Sequence, residues 1–180
     1  AAAGSTPLEN QLYRVEIHRG GGVATASSCK WSRDNGTVVA RVLTHTTPVV
    51  DLGAWRFSIE IDRVGRDSFS SFLPGQMVEL SNDEFTLQRK PGVFGSITSV
   101  VGDTLTLQVP QASAPLNNVA AGAESVNPLL GTNPTVRRWD NLWNPDLGAM
   151  TLVDVGLDYT SSGRLLLERD ISVKFASQGA

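Results

Sequence analysis

Apolar and polar positions alternate with period two along most of this chain. Over residues 11–18, Tyr13, Val15 and Ile17 fall on one side and Arg14, Glu16 and His18 on the other, as in a half-buried strand. Gly20-Gly21-Gly22 then permits a turn that needs positive φ. Residues 23–31 read as a return strand with Trp31 in the core, and Asp34-Asn35-Gly36 as a tight hairpin turn, because Asn-Gly favours type I′ geometry. A strand over 37–43 follows. The clearest alternation is 54–62, where Trp55, Phe57, Ile59 and Ile61 face inward and Arg56, Ser58, Glu60 and Asp62 face out.

A second group occupies 72–109: a turn, a strand over 76–80, a loop ending at Pro91-Gly92, a strand over 93–101, the turn Gly102-Asp103, and a strand aligning Leu105, Leu107 and Val109. That order is the layout of a small SH3-like barrel segment. Residues 110–135 break the pattern with four prolines and no period, and read as a long connection that leaves room for one short helix at 118–125. Strands resume at 136–143, 150–155 and 164–175, with Asn144-Pro145-Asp146 as a turn. No 3.6-residue stripe is sustained. The expected fold is all-β, an antiparallel sandwich or barrel of roughly nine to twelve strands with at most one short helix.

One β-rich domain over 8–175 fits a chain of 180 residues, of which 41% are hydrophobic. Residues 1–7 read as a linker or expression scar and 176–180 as a tail, as in a piece of a longer protein. Net charge is -3, three of the fifteen cations are lysines (Lys30, Lys90 and Lys174), and the adjacent cations are two pairs, Arg89-Lys90 and Arg137-Arg138. Phosphate recognition needs clustered cations, so nucleic acid is not an expected partner. No stretch approaches the roughly 20 apolar residues of a membrane span.

Candidate chemistry is sparse. Cys29 is the single cysteine, placed within a strand between Ser28 and Lys30, where a thiol packs as core rather than reacts. His18 and His45 lie 27 residues apart, without the spacing of metal ligands, and read as surface or edge residues. No G-x-S-x-G elbow, phosphate loop or calcium loop occurs, so no catalytic residue, metal or cofactor is assigned. Asn35-Gly36-Thr37 fits a glycosylation sequon but reads as turn chemistry. Trp139 and Trp143 stand four apart beside Arg137 and Arg138, next to the long connection. Tryptophans near arginines stack on sugars or anchor protein interfaces, so these four are the candidate ligand- or partner-binding residues. The competing reading packs both tryptophans over a barrel end.

The stretches LENQLYRVEIHRGG, ATASSCKWSRDNGTVV, LPGQMVELSND, GDTLTL and VRRWDN resemble a family of uncharacterised bacterial proteins, a domain of unknown function. The usual form there is LYRVEIH-x-GG followed by ATFKWSRDNGS; here Ser28 and Cys29 replace its Thr-Phe. The likeness covers most of 8–175, and no catalytic residues come with it. Some members are associated with phage-tail-like contractile injection systems or large surface proteins. The resemblance thus implies a non-enzymatic structural or interaction module of a larger tail-like or secreted assembly, meeting protein partners and forming homo-oligomers. An extracellular or particle-borne location goes with that reading. A carbohydrate-binding or adhesin module using Trp139 and Trp143 on a glycan is the alternative. A fragment of a polysaccharide-active enzyme, using Asp or Glu with His18 or Tyr13, is the second.

Overall fold

The computed structural model describes residues 12–19, 27–65, 67, 70–110, 129, 131–140, 153–155, 165–168 and 171–173. The strands are β1 (Arg14–Arg19), β2 (Ser27–Ser32), β3 (Val39–His45), β4 (Val49–Asp51), β5 (Ala54–Ile61), β6 (Met77–Ser81), β7 (Val93–Val101), β8 (Thr104–Pro110), β9 (Thr135–Trp139), β10 (Val153–Val155), β11 (Leu165–Glu168) and β12 (Ile171–Val173). One five-residue helix, α1 (Asp83–Leu87), lies between β6 and β7. The fold is all-β, as the alternation predicts.

Strands β3-β9-β6-β7-β8-β5 close on themselves through a β3–β5 pairing, making a six-stranded antiparallel barrel. Within it, β6, β7 and β8 form a meander and β9 returns beside β6, a Greek-key arrangement. The segment 72–109 supplies these three consecutive strands, with α1 in the loop read from sequence. Bulges at Leu43, between the Val42 and Thr44 pairings, and between Ile97 and Ser99 interrupt the ladders where the barrel wall bends.

Period two decides what fills the barrel. Trp55, Phe57, Ile59 and Ile61 of β5 point inward with Leu105, Leu107 and Val109 of β8, Val78 and Leu80 of β6, and Val136 of β9. Ile59, Val78, Leu80, Leu105, Leu107, Val109 and Val136 are fully buried, so the interior is a packed core without a lumen. Leu129 also reaches this core.

A smaller sheet, β1-β2-β10, lies beside the barrel. Asn35 (φ 54) and Gly36 (φ 64) form the expected turn, closed by Thr37 N–H donating to the Asp34 carbonyl at 3.0 Å. It does not make a hairpin, however: β2 pairs with β1 and β10, whereas β3 pairs with β5 and β9. The turn carries the chain from one sheet to the other.

The facing of β1 also differs from expectation. Arg14, Glu16 and His18 face the barrel, while Ile17, expected in the core, is 61% exposed. Tyr13 stacks on buried Trp31 on the side away from the barrel, their ring centroids 6.2 Å apart. Cys29 is buried in β2, as expected, and desolvation pushes its thiol up to about 11. In the native protein Cys29 therefore resists thiol reagents at pH 8, and labels rapidly once denaturant unfolds the chain. Rapid labelling without denaturant would contradict this burial.

The short helix sits at Asp83–Leu87, where Asn82 caps it by accepting from Phe85 N–H at 2.9 Å. The expected helix site at 118–125, the Gly20-Gly21-Gly22 turn, Trp143, the turn at 144–146 and most of the connection 110–135 lie outside the described residues. The expected strand over 164–175 is two short paired strands, β11 and β12.

Candidate functional site

Strand register places the polar groups. On the outer barrel wall, Glu79 of β6 stands opposite Phe94 of β7 and Arg137 of β9, and Met77 opposite Trp139. On the small sheet, Glu16 of β1 stands opposite Lys30 of β2. These two polar faces meet. Lys30 Nζ donates to Glu79 Oε1 and Oε2 at 2.6 and 2.7 Å and lies 3.2 Å from Glu16 Oε2. An ammonium has three protons, and three carboxylate oxygens receive them. Glu79 also accepts from Trp139 Nε1 and the Gly92 amide, each at 2.9 Å. The Lys30 ammonium lies 4.6 Å from the Trp139 ring centre, a cation–π contact out of water. His18 meets Phe94 edge-on at 4.9 Å, with Nδ1 3.9 Å from Glu79 Oε1.

This arrangement joins the small sheet to the barrel wall. Glu79 takes four donor contacts, two from Lys30 and one each from Trp139 and Gly92. Burial works to raise the pKa of Glu16, but the Lys30 charge and hydrogen bonds from Arg14 and Lys30 outweigh it and hold that pKa below 4.5. With the folded-state pKa depressed, Glu16 stabilises the fold fully above pH 4.5, and its contribution disappears as pH falls through the lower native value. Denaturant melts below pH 4.5 should therefore show a steeper loss of stability for the wild type than for Glu16→Gln. Equal slopes would contradict the pairing.

Arg137 and Arg138 leave β9 on opposite faces. Arg137 reaches the Gly36 carbonyl, and its pKa is lowered by burial and then by the nearby Arg14 charge. Arg138 is buried and donates to the Ser71 carbonyl at 2.7 Å and to Asp34 Oδ2 at 2.6 Å. Asp140, just beyond β9, accepts from Arg33 N–H at 2.8 Å. The adjacent arginines thus clasp the turn at 34–37 and steer β2 into β3. Trp139, a candidate ligand contact by sequence, is 2% exposed and has Lys30 on its face.

The remaining sequence candidates stay apart. His18 is buried at the seam rather than on the surface, and the Nδ1 of His45 lies 3.1 Å from the Thr46 carbonyl. Among the described residues, no group of three or more His, Cys, Asp or Glu is placed to hold a metal ion.

Two features escaped the sequence reading. First, β4 and β5 form a hairpin through the two-residue turn Leu52-Gly53, with Asp51 paired to Ala54. Leu52 (φ 49) and Gly53 (φ 78) both adopt positive φ, and Leu52 is 91% exposed. Val49 and Val50 beside it are 59% and 49% exposed. Val49-Val50 before a glycine and a strong strand was the available signal; leucine is not a residue that announces a type I′ turn. Second, a cleft of about 620 Å³ opens at the other end of the barrel. Val38, Val39, Val64 and Phe72 line it together with Asp62, Arg63, Asp67 and Asp103.

Barrel and seam together define an all-β protein whose closed barrel carries a second sheet on a charged, buried join. The model of DUF6519, a family of unknown function, matches residues 1–180, and the chain belongs to that family. No curated protein and no solved structure matches it.

Proposed function

We propose that this chain is a non-enzymatic structural or interaction module of a larger bacterial assembly, and that the β4–β5 hairpin is its contact. The supporting observation is Leu52, an apolar side chain 91% exposed on a backbone conformation that leucine disfavours. Single exposed hydrophobics are ordinary on any surface. A run of them at the tip of a projecting hairpin, in a strained conformation, is a reason to assign function. The polar groups of the seam are engaged with one another, which favours a structural over a catalytic reading. The resemblance to a family some of whose members are associated with tail-like injection systems makes a tail-like or secreted particle the assembly we have in mind. No helix among the described residues is long and apolar enough to cross a membrane.

A photo-cross-linking residue at position 52 of the parent protein, in its own cell, tests this. The reading expects a discrete protein adduct that mass spectrometry identifies and that Val49→Asn weakens, with no adduct from a control at Leu87, also exposed at 83%. Absence of any adduct at 52, or equal adducts at both positions, would overturn it.

A further inference from the structure

We infer that the partner of the Leu52 hairpin is a second copy of this chain, whose cleft at the opposite barrel end receives it. This rests on the reading above and names the occupant of the same site. Strand β5 connects the two features: Ala54 adjoins the hairpin turn, and Asp62, just beyond Ile61, lines the cleft. Eight residues of strand separate them by about 25 Å, at roughly 3.3 Å per residue. Knob and cleft therefore do not meet within one copy. Between copies, the contact is head to tail, and repeating it makes a ring or a filament.

The chemistry of the two ends is complementary. Val38 and Val64 are half-buried and pack against the barrel core, and with Val39 they give the cleft an apolar side for Leu52 and Val50. Among the described residues, the cleft also carries three carboxylates, Asp62, Asp67 and Asp103, against one guanidinium, that of Arg63. The hairpin brings Arg56, opposite Val49 and 42% exposed at its side chain, where its ion pair with Asp51 at 3.0 Å is open to exchange. Seating the leucine would bring that guanidinium toward the carboxylate-rich cleft. The association should therefore weaken as salt rises.

Sedimentation velocity over a concentration series tests the inference, with Leu52→Asn removing the knob and Val64→Arg blocking the cleft. The wild type is expected to form concentration-dependent oligomers, and each variant to associate about tenfold or more weakly, the loss expected for one well-packed apolar anchor. An equimolar mixture of the two variants retains one intact knob and one intact cleft, so it should form dimers that grow no further. Thermal melts establish that both variants are folded. A wild type that stays monomeric, a Val64→Arg variant that assembles like the wild type, or a mixture that stays monomeric would each overturn the inference. Should the position-52 cross-linker capture a different protein while the wild type is monomeric, only the choice of partner falls. Should it capture nothing, the proposed function falls too.

Discussion

Replacing Glu79 with Ala is expected to lower stability by about 3–5 kcal/mol, the range for breaking a buried ion pair from one side. The cost comes from what the carboxylate leaves behind. Lys30, 6% exposed, loses both of its short contacts to Glu79 and keeps only Glu16 at 3.2 Å. The Trp139 Nε1–H and Gly92 N–H groups lose their acceptor as well. Pairing Glu79→Leu with Lys30→Met removes the charge from both sides and should recover the part of the loss due to the stranded ammonium, since apolar replacement of a buried pair is often neutral, while the two N–H groups still lack their acceptor. Urea melts of the single and double variants give this cycle directly. A Glu79→Ala variant within about 1 kcal/mol of the wild type would place the pair in a far more solvated setting than its burial indicates.

The second large effect is Trp139→Ala, expected to cost about 3–5 kcal/mol by removing a buried aromatic from the seam. Trp139 touches Phe94, covers Lys30 and donates to Glu79, so its loss leaves both a cavity and an unsatisfied acceptor. Trp139→Phe keeps much of the volume and separates the two causes: a small loss attributes the cost to packing, a large one to the missing N–H. Urea melts read both. The glycan-platform reading makes a different prediction, unchanged stability with lost sugar binding.

Much of the barrel was legible because period two and turn residues report local backbone geometry. Strands β5 to β8 fall where alternation and the Pro91-Gly92 and Gly102-Asp103 signals place them. What alternation cannot say is which face meets which layer. Arg14, Glu16 and His18 read as a solvent face because what covers it, Trp139 at Arg14 and Phe94 and Glu79 at His18, lies far along the chain on another sheet. For the same reason the Asn35-Gly36 turn was legible, but its capture by Arg137 and Arg138 was not. The adjacency of Arg137, Arg138 and Trp139 is plain in the chain, but what each packs against depends on the register of β9 with β6. The helix α1 went unread, although Asn82 followed by Asp83 and Glu84 carries a cap and an acidic first turn. The β4–β5 hairpin breaks the rule by which such turns are recognised. A leucine stands where Asn or Asp would serve the backbone better, and that departure is the basis for assigning it a function.

Leu52→Asn tests this account most directly, because folding and assembly should move in opposite directions. Asparagine tolerates positive φ better than leucine, so the unfolding free energy should rise by up to about 1 kcal/mol. Removing the apolar tip should at the same time reduce assembly, measured by light scattering on the same sample. A variant more stable than the wild type and less associated is the predicted result. Assembly unchanged by Leu52→Asn would contradict the account.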